Sequence, residues 1–390
     1  MTVRVTVLGS TGSIGRQTLE VVGHSQGRLE AVALAAGSDL EMLLAQAARV
    51  KPQALGLEVA SDPTAARERL KAVAPAARIE IGAGAAVRLA AEVDSEIVVN
   101  GVVGAAGLEP SLAALNRGAR LALANKETLV IGSVLVRAAL ARGGSLVPVD
   151  SEHSGALQVL GGRPAAEVVR LTITASGGAL RDHPDWRRAT REQVLAHPVW
   201  PMGDRITVDS ALMFNKGLEL IEAQVLFDLE WHQLEAVLHP EARLHAWATF
   251  VDGSTLVQAA RPDMALPIQL ALTWPERWPC SVKPLEAQDL AGLTIGPISL
   301  ERYPALALVI AAGKTGGTAP CAINAADEVA VRAFLDGAIG IGDVPDVLAR
   351  VMDRFEPEAV VSVAQLREVD ARVREWARAA VAAVPAGGRP

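Results

Sequence analysis

The sequence predicts an α/β protein that begins with a doubly wound parallel sheet, continues with an α+β segment and ends in a helical bundle. Three observations support this prediction. Short β-rich runs alternate with helical runs from Val3 to Asp150, which is typical of βαβ units around a parallel sheet. The pattern changes after residue 150, and from about residue 300 it is helical only. At 390 residues, the chain also exceeds what one hydrophobic core usually organises.

The first 150 residues contain seven β-rich runs, and consecutive runs are separated by a stretch that fits a helix. Aromatic residues make up only 3% of the chain, so Ala, Val, Leu and Ile must fill the cores. Seven strands in this arrangement predict a doubly wound, Rossmann-like sheet. The predicted strands are residues 3–9, 29–37, 53–59, 78–84, 96–103, 120–125 and 145–150.

The middle of the chain, residues 151–272, has a mixed pattern. It contains a helix from Ser151, a strand over 168–174, a loop rich in Pro and Trp, and a strongly helical run after Asp209. This order of elements predicts an α+β domain.

The C-terminal part separates into a linker and a helical domain. Residues 273–299 contain four prolines and little periodicity, which indicates a linker. Residues 300–390 are helical, most clearly at 322–337 and 363–384, and we expect only the final Gly-Gly-Arg-Pro to be disordered. The predicted boundaries therefore follow residues 150, 272 and 299.

The overall charge excludes some classes of partner. A net charge of −7 and a pI near 5.6 leave no basic surplus for a nucleic-acid backbone or an anionic membrane. Cys280 and Cys321 show no metal-ligand spacing and suggest no disulfide framework, which fits a reducing compartment. The N-terminus runs directly into a strand pattern, so we expect no secretion signal, and no stretch of 18 uncharged apolar residues indicates a membrane span. We therefore expect a cytoplasmic protein that acts on a small molecule.

A glycine-rich loop follows the first predicted strand directly. The sequence GSTGSIG places Gly9, Gly12 and Gly15 before a helix that starts near Ile14. Glycines at this position allow the backbone to approach a pyrophosphate, whose charge is met by N–H groups of the helix N-terminus. By itself the motif is equally compatible with a simple turn, but its strand-loop-helix context favours a dinucleotide site.

The end of the second predicted strand, Gly37, Ser38 and Asp39, has two interpretations. A carboxylate about 20 residues past the glycine loop usually accepts the ribose hydroxyls of NAD. Alternatively, Ser38 or Asp39 caps the following helix. The sequence alone leaves both open.

Carboxylates follow the seventh strand and recur in the middle domain. Asp150, Ser151 and Glu152 lie at the carboxyl edge of the sheet, where α/β proteins bind ligands, but Asp150 or Ser151 could equally cap a helix. After Asp209, which with Ser210 is a candidate helix cap, one helical stripe is apolar and the opposite stripe is polar. A solvated helix face is the usual explanation of such a polar stripe. The apolar stripe is Phe214, Leu218, Ile221 and Val225, and the polar one is Asn215, Glu219 and Glu222 with Lys216 beside it.

Two further segments could contact a ligand. TASGG (174–178) offers Ser176 and flexible N–H groups, which suit either an anion nest or a tight turn. AHPVWPMGD (196–204) contains His197, Trp200 and Gly203 and is broken by prolines, so it predicts either a lid over a ligand or an ordinary surface loop.

Six blocks of the sequence, in their order along the chain, closely resemble the 1-deoxy-D-xylulose 5-phosphate reductoisomerase family. The resemblance continues through AINAADEVAVRAFL, so it covers essentially the whole chain. It implies a homodimer whose subunits have an NADPH-binding domain (1–150), a catalytic domain with the metal site (151–272), a linker (273–299) and a helical domain (300–390). The blocks are GSTGSIG, LANKETLV, VDSEHSG, TASGG, HPVWPMG and VDSALMFNKGLELIEA.

The resemblance also implies the roles of individual residues. Asp150, Glu152 and Glu219 would hold the metal, and three carboxylates suit Mg²⁺ or Mn²⁺, with Co²⁺ a further candidate. These ligands and Lys126 form the implied catalytic set. The substrate would contact Lys126, Ser151, Glu152, Ser176, His197, Trp200, Ser210, Asn215, Lys216 and Glu219, and Met202 would belong to the same mobile loop as Trp200. The cofactor would contact Thr11, Gly12, Ser13, Ile14, Gly37, Ser38, Asp39, Asn125, Glu127 and Gly203.

The implied reaction is the rearrangement of 1-deoxy-D-xylulose 5-phosphate, a phosphorylated ketose, and its reduction by NADPH to 2-C-methyl-D-erythritol 4-phosphate. The metal would act as a Lewis acid on the substrate oxygens, and the lid would exclude water. This chain has Ser38 and Asp39 where many family members have Lys or Arg followed by Asn, so we expect a preference for NADPH that is smaller than with Lys or Arg at position 38. Two rival hypotheses are an NADP-dependent dehydrogenase of a small aldehyde and a non-catalytic nucleotide sensor. Neither explains the three carboxylates.

Overall fold

The computed structural model describes residues 2–200 and 202–385. Contacts between Cα atoms divide the chain into two compact units. The first comprises the chain up to Thr128 together with residues 134–154 and 263–283, and the second comprises residues 129–133, 155–262 and the chain from 284 onward. The four-part division of the sequence stays a prediction. The Gly-Gly-Arg-Pro tail lies outside the described residues.

The first unit is built on the seven-stranded sheet that the sequence predicts. All neighbouring strands are parallel, in the order β4-β3-β2-β1-β5-β6-β7. The strands are β1 (Val3–Leu8), β2 (Leu29–Ala36), β3 (Ala54–Leu57), β4 (Arg78–Ile81), β5 (Ile97–Asn100), β6 (Arg120–Leu123) and β7 (Ser145–Pro148). They are Val-, Leu- and Ala-rich and mostly buried, as expected for a sheet covered by helices on both faces. The doubly wound prediction is confirmed.

Helices connect these strands and place the ligand-binding edge. β1 lies between β2 and β5, so the strand order reverses there and leaves a crevice outside the carboxyl end of β1. The glycine-rich loop occupies this position. The helices of the first unit are α1 (Ser13–His24), α2 (Leu40–Val50), α3 (Pro63–Val73), α4 (Ala85–Glu92), α5 (Leu108–Asn116), α6 (Glu127–Ala141, in part) and, after a long excursion of the chain, α11 (Ala265–Thr273).

Helix α7 (Ser151–Leu160) begins in the residues of the first unit and continues in those of the second. The second unit has a four-stranded mixed sheet in the order β11-β10-β8-β9. Its strands are β8 (Val168–Ala175), β9 (Leu234–Leu238), β10 (Leu244–Phe250) and β11 (Thr255–Ala259). Only β8 was predicted. β9 and β11 are five-residue strands without a fully buried residue, so they lack the apolar pattern that identifies a strand.

The helices of the second unit confirm the helical end of the chain. They are α8 (Arg191–Leu195), α9 (Asp204–Ala211), α10 (Phe214–Phe227), α12 (Pro304–Thr315), α13 (Ala319–Leu335), α14 (Asp343–Met352) and α15 (Val363–Ala382). Between α11 and α12, the residues form neither an α-helix nor a strand, and the assignment of residues 273–299 as a linker stays a prediction. Within the described residues, we find no helix with the length and apolar character needed to cross a membrane.

The helical run after Asp209 differs from its prediction. Asp209 lies inside α9, and α10 begins only at Phe214, after Met213 with a φ of 58°. The expectation that Asp209 or Ser210 caps this helix is therefore wrong. A single residue in the left-handed region interrupts the helical hydrogen bonds, and the periodicity of the sequence does not reveal it.

Candidate active site

The glycine-rich loop has the geometry that a phosphate requires. Gly9 has a φ of +74°, and a Cβ there would lie 2.6 Å from the carbonyl oxygen of Gly101. A Cβ at Gly15 would lie 2.3 Å from the carbonyl oxygen of Gly9. Gly12 precedes α1, and no side chain caps this helix end. The N-terminus of α1 therefore presents N–H groups at the sheet edge, where an anion can accept their hydrogen bonds.

The end of β2 confirms the capping interpretation of Asp39. Its Oδ1 accepts a hydrogen bond from the N–H of Met42 at 3.0 Å, which caps α2. Gly37, Ser38 and Asp39 are all exposed. One oxygen of the Asp39 carboxylate is therefore hydrogen-bonded to the helix that it caps, and contact of this carboxylate with a ribose stays a prediction.

Asn125 and Glu127 hold a loop that follows β5. The Asn125 Nδ2 donates to the carbonyl oxygens of Val102 and Gly104 at 2.8 and 2.9 Å. A Glu127 carboxylate oxygen accepts from the N–H of Gly104 at 3.1 Å. Both side chains are buried. These contacts fix the backbone of residues 102–104 at the same sheet edge as the glycine-rich loop.

The role of the loop at residues 102–104 was not predicted from the sequence. Asn100 ends β5, and its Oδ1 accepts from the N–H of Val102 at 3.0 Å, while its Nδ2 donates to the carbonyl oxygen of Gly107 at 2.8 Å. An Asn-Gly pair at the carboxyl end of a buried strand, followed by two more glycines, was the available signal.

Asp150 both caps a helix and contacts a cation. Its Oδ1 accepts from the N–H groups of Glu152 and His153 at 3.1 and 3.4 Å, which caps α7. The Nζ of Lys126 donates to its Oδ2. The Ser151 hydroxyl donates to Glu152 at 2.8 Å. The capping interpretation is thus confirmed. It does not compete with a ligand role, because the cap uses Oδ1 whereas Oδ2 faces the ammonium group of Lys126.

Helix α10 is buried on both of its predicted faces. Phe214, Leu218, Ile221 and Val225 form the predicted apolar stripe, and all four are buried. Glu219 and Glu222, however, are only 2% and 4% exposed, so the solvated-face interpretation is wrong for them. On another face of the helix, Gly217 allows α12 to pack closely, because a Cβ would lie 2.6 Å from that of Val309.

A buried carboxylate requires a charged or polar partner. The Nδ2 of Asn215 donates to Glu219 Oε1 at 2.5 Å, and the Nζ of Lys216 donates to Glu219 Oε2. Three of the implied site residues are thereby brought into one cluster.

The three predicted metal ligands also come together. Asp150, Glu152 and Glu219 each offer one carboxylate oxygen, and these three oxygens lie within 4.8 Å of one another. Like charges at this separation repel unless a cation or a proton is present. Three hard oxygen donors fit Mg²⁺ or Mn²⁺.

The TASGG turn and the following loop form a second cluster. Gly178 has a φ of +66°, and a Cβ there would lie 2.5 Å from the carbonyl oxygen of Ser210. The turn therefore lies directly against the end of α9. The Ser176 hydroxyl is 3.3 Å from His197 Nε2. The TASGG turn therefore contacts both His197 and the backbone of Ser210, and the resemblance implies that Ser176, His197 and Ser210 bind the substrate.

His197 also organises the predicted lid. Residues 196–203 form no helix or strand where they are described, and Pro201 lies outside the described residues. The Nδ1 of His197 accepts from the N–H groups of Val199 and Trp200 at 3.2 and 2.9 Å. Burial lowers the pKa of His197. A neutral ring that accepts at Nδ1 carries its proton on Nε2, so it presents a donor beside Ser176.

Comparison with protein families gives three matches along the chain. Residues 5–133 match the model described as 1-deoxy-D-xylulose 5-phosphate reductoisomerase, and residues 146–227 match the C-terminal domain model of the same name. Residues 260–376 match the model described as the DXP reductoisomerase C-terminal domain.

Curated relatives with this name extend over nearly the whole chain. The protein from Heliobacterium modesticaldum is 46% identical over 384 residues, which cover 96% of both chains. The protein from Leifsonia xyli subsp. xyli is 44% identical and covers 97% of both.

Two solved structures are also similar. The enzyme from Zymomonas mobilis in complex with NADPH is 34% identical, has a TM-score of 0.90 and covers 98% of this chain and 100% of its own. A DOX-P reductoisomerase in complex with NADPH, fosmidomycin and magnesium is 33% identical, has a TM-score of 0.91 and covers 98% of both chains.

Proposed function

The chain belongs to the 1-deoxy-D-xylulose 5-phosphate reductoisomerase family, and we propose that the clusters described above are its substrate, metal and cofactor sites. The enzyme converts 1-deoxy-D-xylulose 5-phosphate to 2-C-methyl-D-erythritol 4-phosphate in isoprenoid precursor biosynthesis, and it requires NADPH and a divalent metal ion. The observation that carries the assignment of sites is the meeting of the oxygens of Asp150, Glu152 and Glu219.

The three carboxylates are the proposed metal ligands. When bound, the ion supplies Lewis-acid polarisation of the substrate oxygens, and NADPH supplies the hydride. The chain's own residues prepare this site. Lys126 and Lys216 each donate to one of the carboxylates, which offsets their mutual repulsion. Lys126 and Ser151 are also placed beside the carboxylates, where they would contact the oxygenated carbons of the substrate.

The second cluster is the proposed phosphate site. A phosphate needs hydrogen-bond donors and positive charge. Ser176, Ser210 and Asn215 would supply neutral donors, and Lys216 would supply the charge. The Nε2 proton of His197 adds a donor beside Ser176. Trp200 and Met202 belong to the loop that His197 organises, so we propose that this loop covers the substrate and excludes water.

The glycine-rich loop is the proposed pyrophosphate site of NADPH. Thr11, Gly12, Ser13 and Ile14 surround the uncapped N-terminus of α1, which suits the charge of the pyrophosphate. Gly37, Ser38 and Asp39 are exposed at the end of β2, where the adenosine ribose would lie. Asn125 and Glu127 would act through the loop that they hold as well as by contact with the cofactor, and Gly203 would contact it from the lid.

We also propose that the enzyme is a cytoplasmic homodimer. Two free cysteines fit a reducing compartment. β11 is an edge strand of its sheet and exposes Leu256 and Val257 at 44% and 51%, and exposed apolar edges invite pairing with another strand. A Val257→Lys variant should be smaller than the wild type in light scattering, and an unchanged mass would reject this interface.

The activity is tested by NADPH oxidation with 1-deoxy-D-xylulose 5-phosphate. We expect turnover that stops on addition of a chelator and returns with Mg²⁺ or Mn²⁺. A simple aldehyde dehydrogenase would work without the metal, and a nucleotide sensor would bind NADPH without oxidising it. Turnover that survives complete chelation would reject the role of the three carboxylates.

A further inference from the structure

The most unusual buried carboxyl group outside the proposed active site is that of Asp327. It lies on α13 and is 0% exposed. Neither of its oxygens accepts a hydrogen bond within the described part of the chain. Its contact with a cation is long, at 3.8 Å from Arg205 Nη2. An ionised carboxylate without a hydrogen bond is costly in a protein interior.

The group that faces Asp327 is a second carboxyl, that of Asp209. Asp209 lies on α9, is 4% exposed, and its carboxyl group contacts the same guanidinium group as Asp327, that of Arg205. Two carboxylates that meet in this way repel each other when both are ionised, and they attract when they share one proton.

Arg205 is shared between this pair and a third carboxyl group. It lies one turn before Asp209 on α9, with its Nε 3.7 Å from Asp209 Oδ2. Its shorter contacts are with α13, where Nη1 is 3.1 Å from Glu328 and Nη2 is 3.4 Å from Asn324. One guanidinium group therefore faces three carboxyl groups, and its 3.1 Å contact with Glu328 is shorter than those with Asp209 and Asp327.

The remaining charged neighbours favour an ionised Glu328 and a protonated pair. From α15, Arg374 donates to Glu328 and to Asp370. Burial raises the pKa of Glu328, but the two arginines lower it by more. The net shift of this pKa is therefore downward. Burial and the carboxyl group of Asp209 raise the pKa of Asp327 well above its usual range, against the smaller effect of Arg205. Both directions favour a proton on the aspartate pair rather than on Glu328.

The pair is one residue away from the proposed phosphate site. Asp209 directly precedes Ser210 in the last turn of α9, and the backbone of Ser210 lies against Gly178. The end of α9 is thus held between the TASGG turn on one side and Asp327 of α13 on another. A change in either contact moves the peptide that carries Ser210.

We propose that Asp209 and Asp327 share one proton and that the resulting hydrogen bond docks α9 on α13, which positions Ser210 for the substrate phosphate. Asp327 is then a positioning residue. The position of the pair rests on contacts in the second unit alone, whereas the consequence for phosphate rests on the proposed function.

The shared proton makes the docking of α9 on α13 depend on pH. A carboxyl group whose pKa is raised by folding contributes stability below its unfolded pKa, and this contribution is lost as the pH rises through the folded pKa. The affinity for phosphate should therefore fall at alkaline pH. An amide at position 327 carries a permanent donor, so it should keep the hydrogen bond at every pH.

The test compares Asp327→Asn and Asp327→Leu with the wild type. At the alkaline end, the wild-type KM for the ketose phosphate should rise about 3- to 10-fold, the value of one hydrogen bond, with a smaller change in kcat. Asp327→Asn should keep a flat KM, and Asp327→Leu should have a raised KM at all pH values. Asp336→Asn, at the exposed end of α13, is the matched control and should behave like the wild type.

Two measurements do not depend on turnover. The infrared band of a protonated carboxyl group should be present in the wild type at neutral pH and absent in Asp327→Asn. Inorganic phosphate should protect Asp327→Asn from thermal unfolding equally at all pH values, and it should protect the wild type less as the pH rises. If the wild type fails to turn over the ketose phosphate while the infrared band is lost on substitution, the proposed function is wrong and the shared proton stands. An unchanged band, or identical pH profiles of wild type and Asp327→Asn, would overturn the proposal.

Discussion

Two groups of three carboxyls in this protein solve the same electrostatic problem differently. Asp150, Glu152 and Glu219 meet within 4.8 Å and have lysine ammonium groups beside them. Asp209, Asp327 and Glu328 meet around arginines, and the proton that we propose lies between the two aspartates. The first group uses hard oxygens that can be shared with a divalent cation. In the second, Arg205 lies 3.7 and 3.8 Å from the two aspartates, and protonation is the proposed way to neutralise that pair.

The difference shows that proximity of carboxylates does not by itself define a metal site. The two groups differ in how accessible they are to an ion and in the hydrogen-bond donors around them. Asp150 and Glu152 are only partly buried, so an ion can enter, whereas Asp327 is fully buried between helices.

The largest effect is expected for Glu219→Gln. An amide keeps the shape of the side chain but removes one negative charge from the metal, so kcat/KM should fall by about 10²- to 10³-fold, or about 3–4 kcal/mol. Glu222→Gln on the same buried helix is the matched control and should lose less than about tenfold. Turnover measured against metal concentration gives the result, and circular dichroism shows whether each variant is folded. Equal small losses would remove Glu219 from the metal site, and a larger loss in Glu222→Gln would place the ligand one turn later.

The second prediction concerns metal removal. An ion that binds only the folded state stabilises it by about 2.7 kcal/mol at a concentration about 100 times its Kd. Mg²⁺ should therefore raise the Tm of the wild type, and a chelator should reverse the increase. Asp327→Asn should keep this response, whereas Glu219→Gln should lose most of it. A response that disappears in Asp327→Asn would mean that the second group of carboxyls binds the ion.

The third prediction concerns a group kept neutral by burial. His197 accepts two backbone N–H groups at Nδ1, and protonation of that nitrogen would break both bonds. Burial lowers the pKa of His197, so its contribution is present above the usual histidine pKa and is lost as the pH falls through the lowered value. The KM for the substrate should rise about 3- to 10-fold at the acidic end. His197→Gln should show a raised KM without this acidic step, and His232→Gln, an exposed histidine, should resemble the wild type. An acidic step that remains in His197→Gln belongs to another group.

The smallest effect is expected at the end of β2, where Asp39 is satisfied by a backbone N–H. Ser38→Arg adds a cation beside the proposed position of the ribose 2′-phosphate, so the preference for NADPH over NADH should widen by about 1 kcal/mol, or roughly fivefold. Asp39→Asn keeps the cap and is the companion variant. The ratio of kcat/KM for the two cofactors measures the change. A wild type that uses NADH and NADPH equally well would show that the carboxylate decides the preference.

The sequence determined those parts of the molecule whose physical cause is local. Alternating strands and helices predict the seven-stranded sheet, and the strand-loop-helix context of Gly9–Gly15 predicts a phosphate-binding turn, because steric demands between neighbouring residues fix such a loop. The order of motifs identified the family, and with it the set of proposed ligands. Periodicity alone gave no reason to place Glu219 beside Asp150.

Tertiary structure decided what depends on residues far apart in the sequence. The polar stripe with Glu219 and Glu222 predicts solvent exposure, but both carboxyl groups are buried, and Glu219 accepts hydrogen bonds from Asn215 and Lys216. The break at Met213, the strands β9 to β11 and the pair of Asp209 with Asp327 were equally invisible. Asp209 and Asp327 lie 118 positions apart, from their numbers in the sequence, and only packing of α9 on α13 brings them together. Local patterns specify which faces are apolar, whereas the burial of a charge depends on which distant segment packs against it.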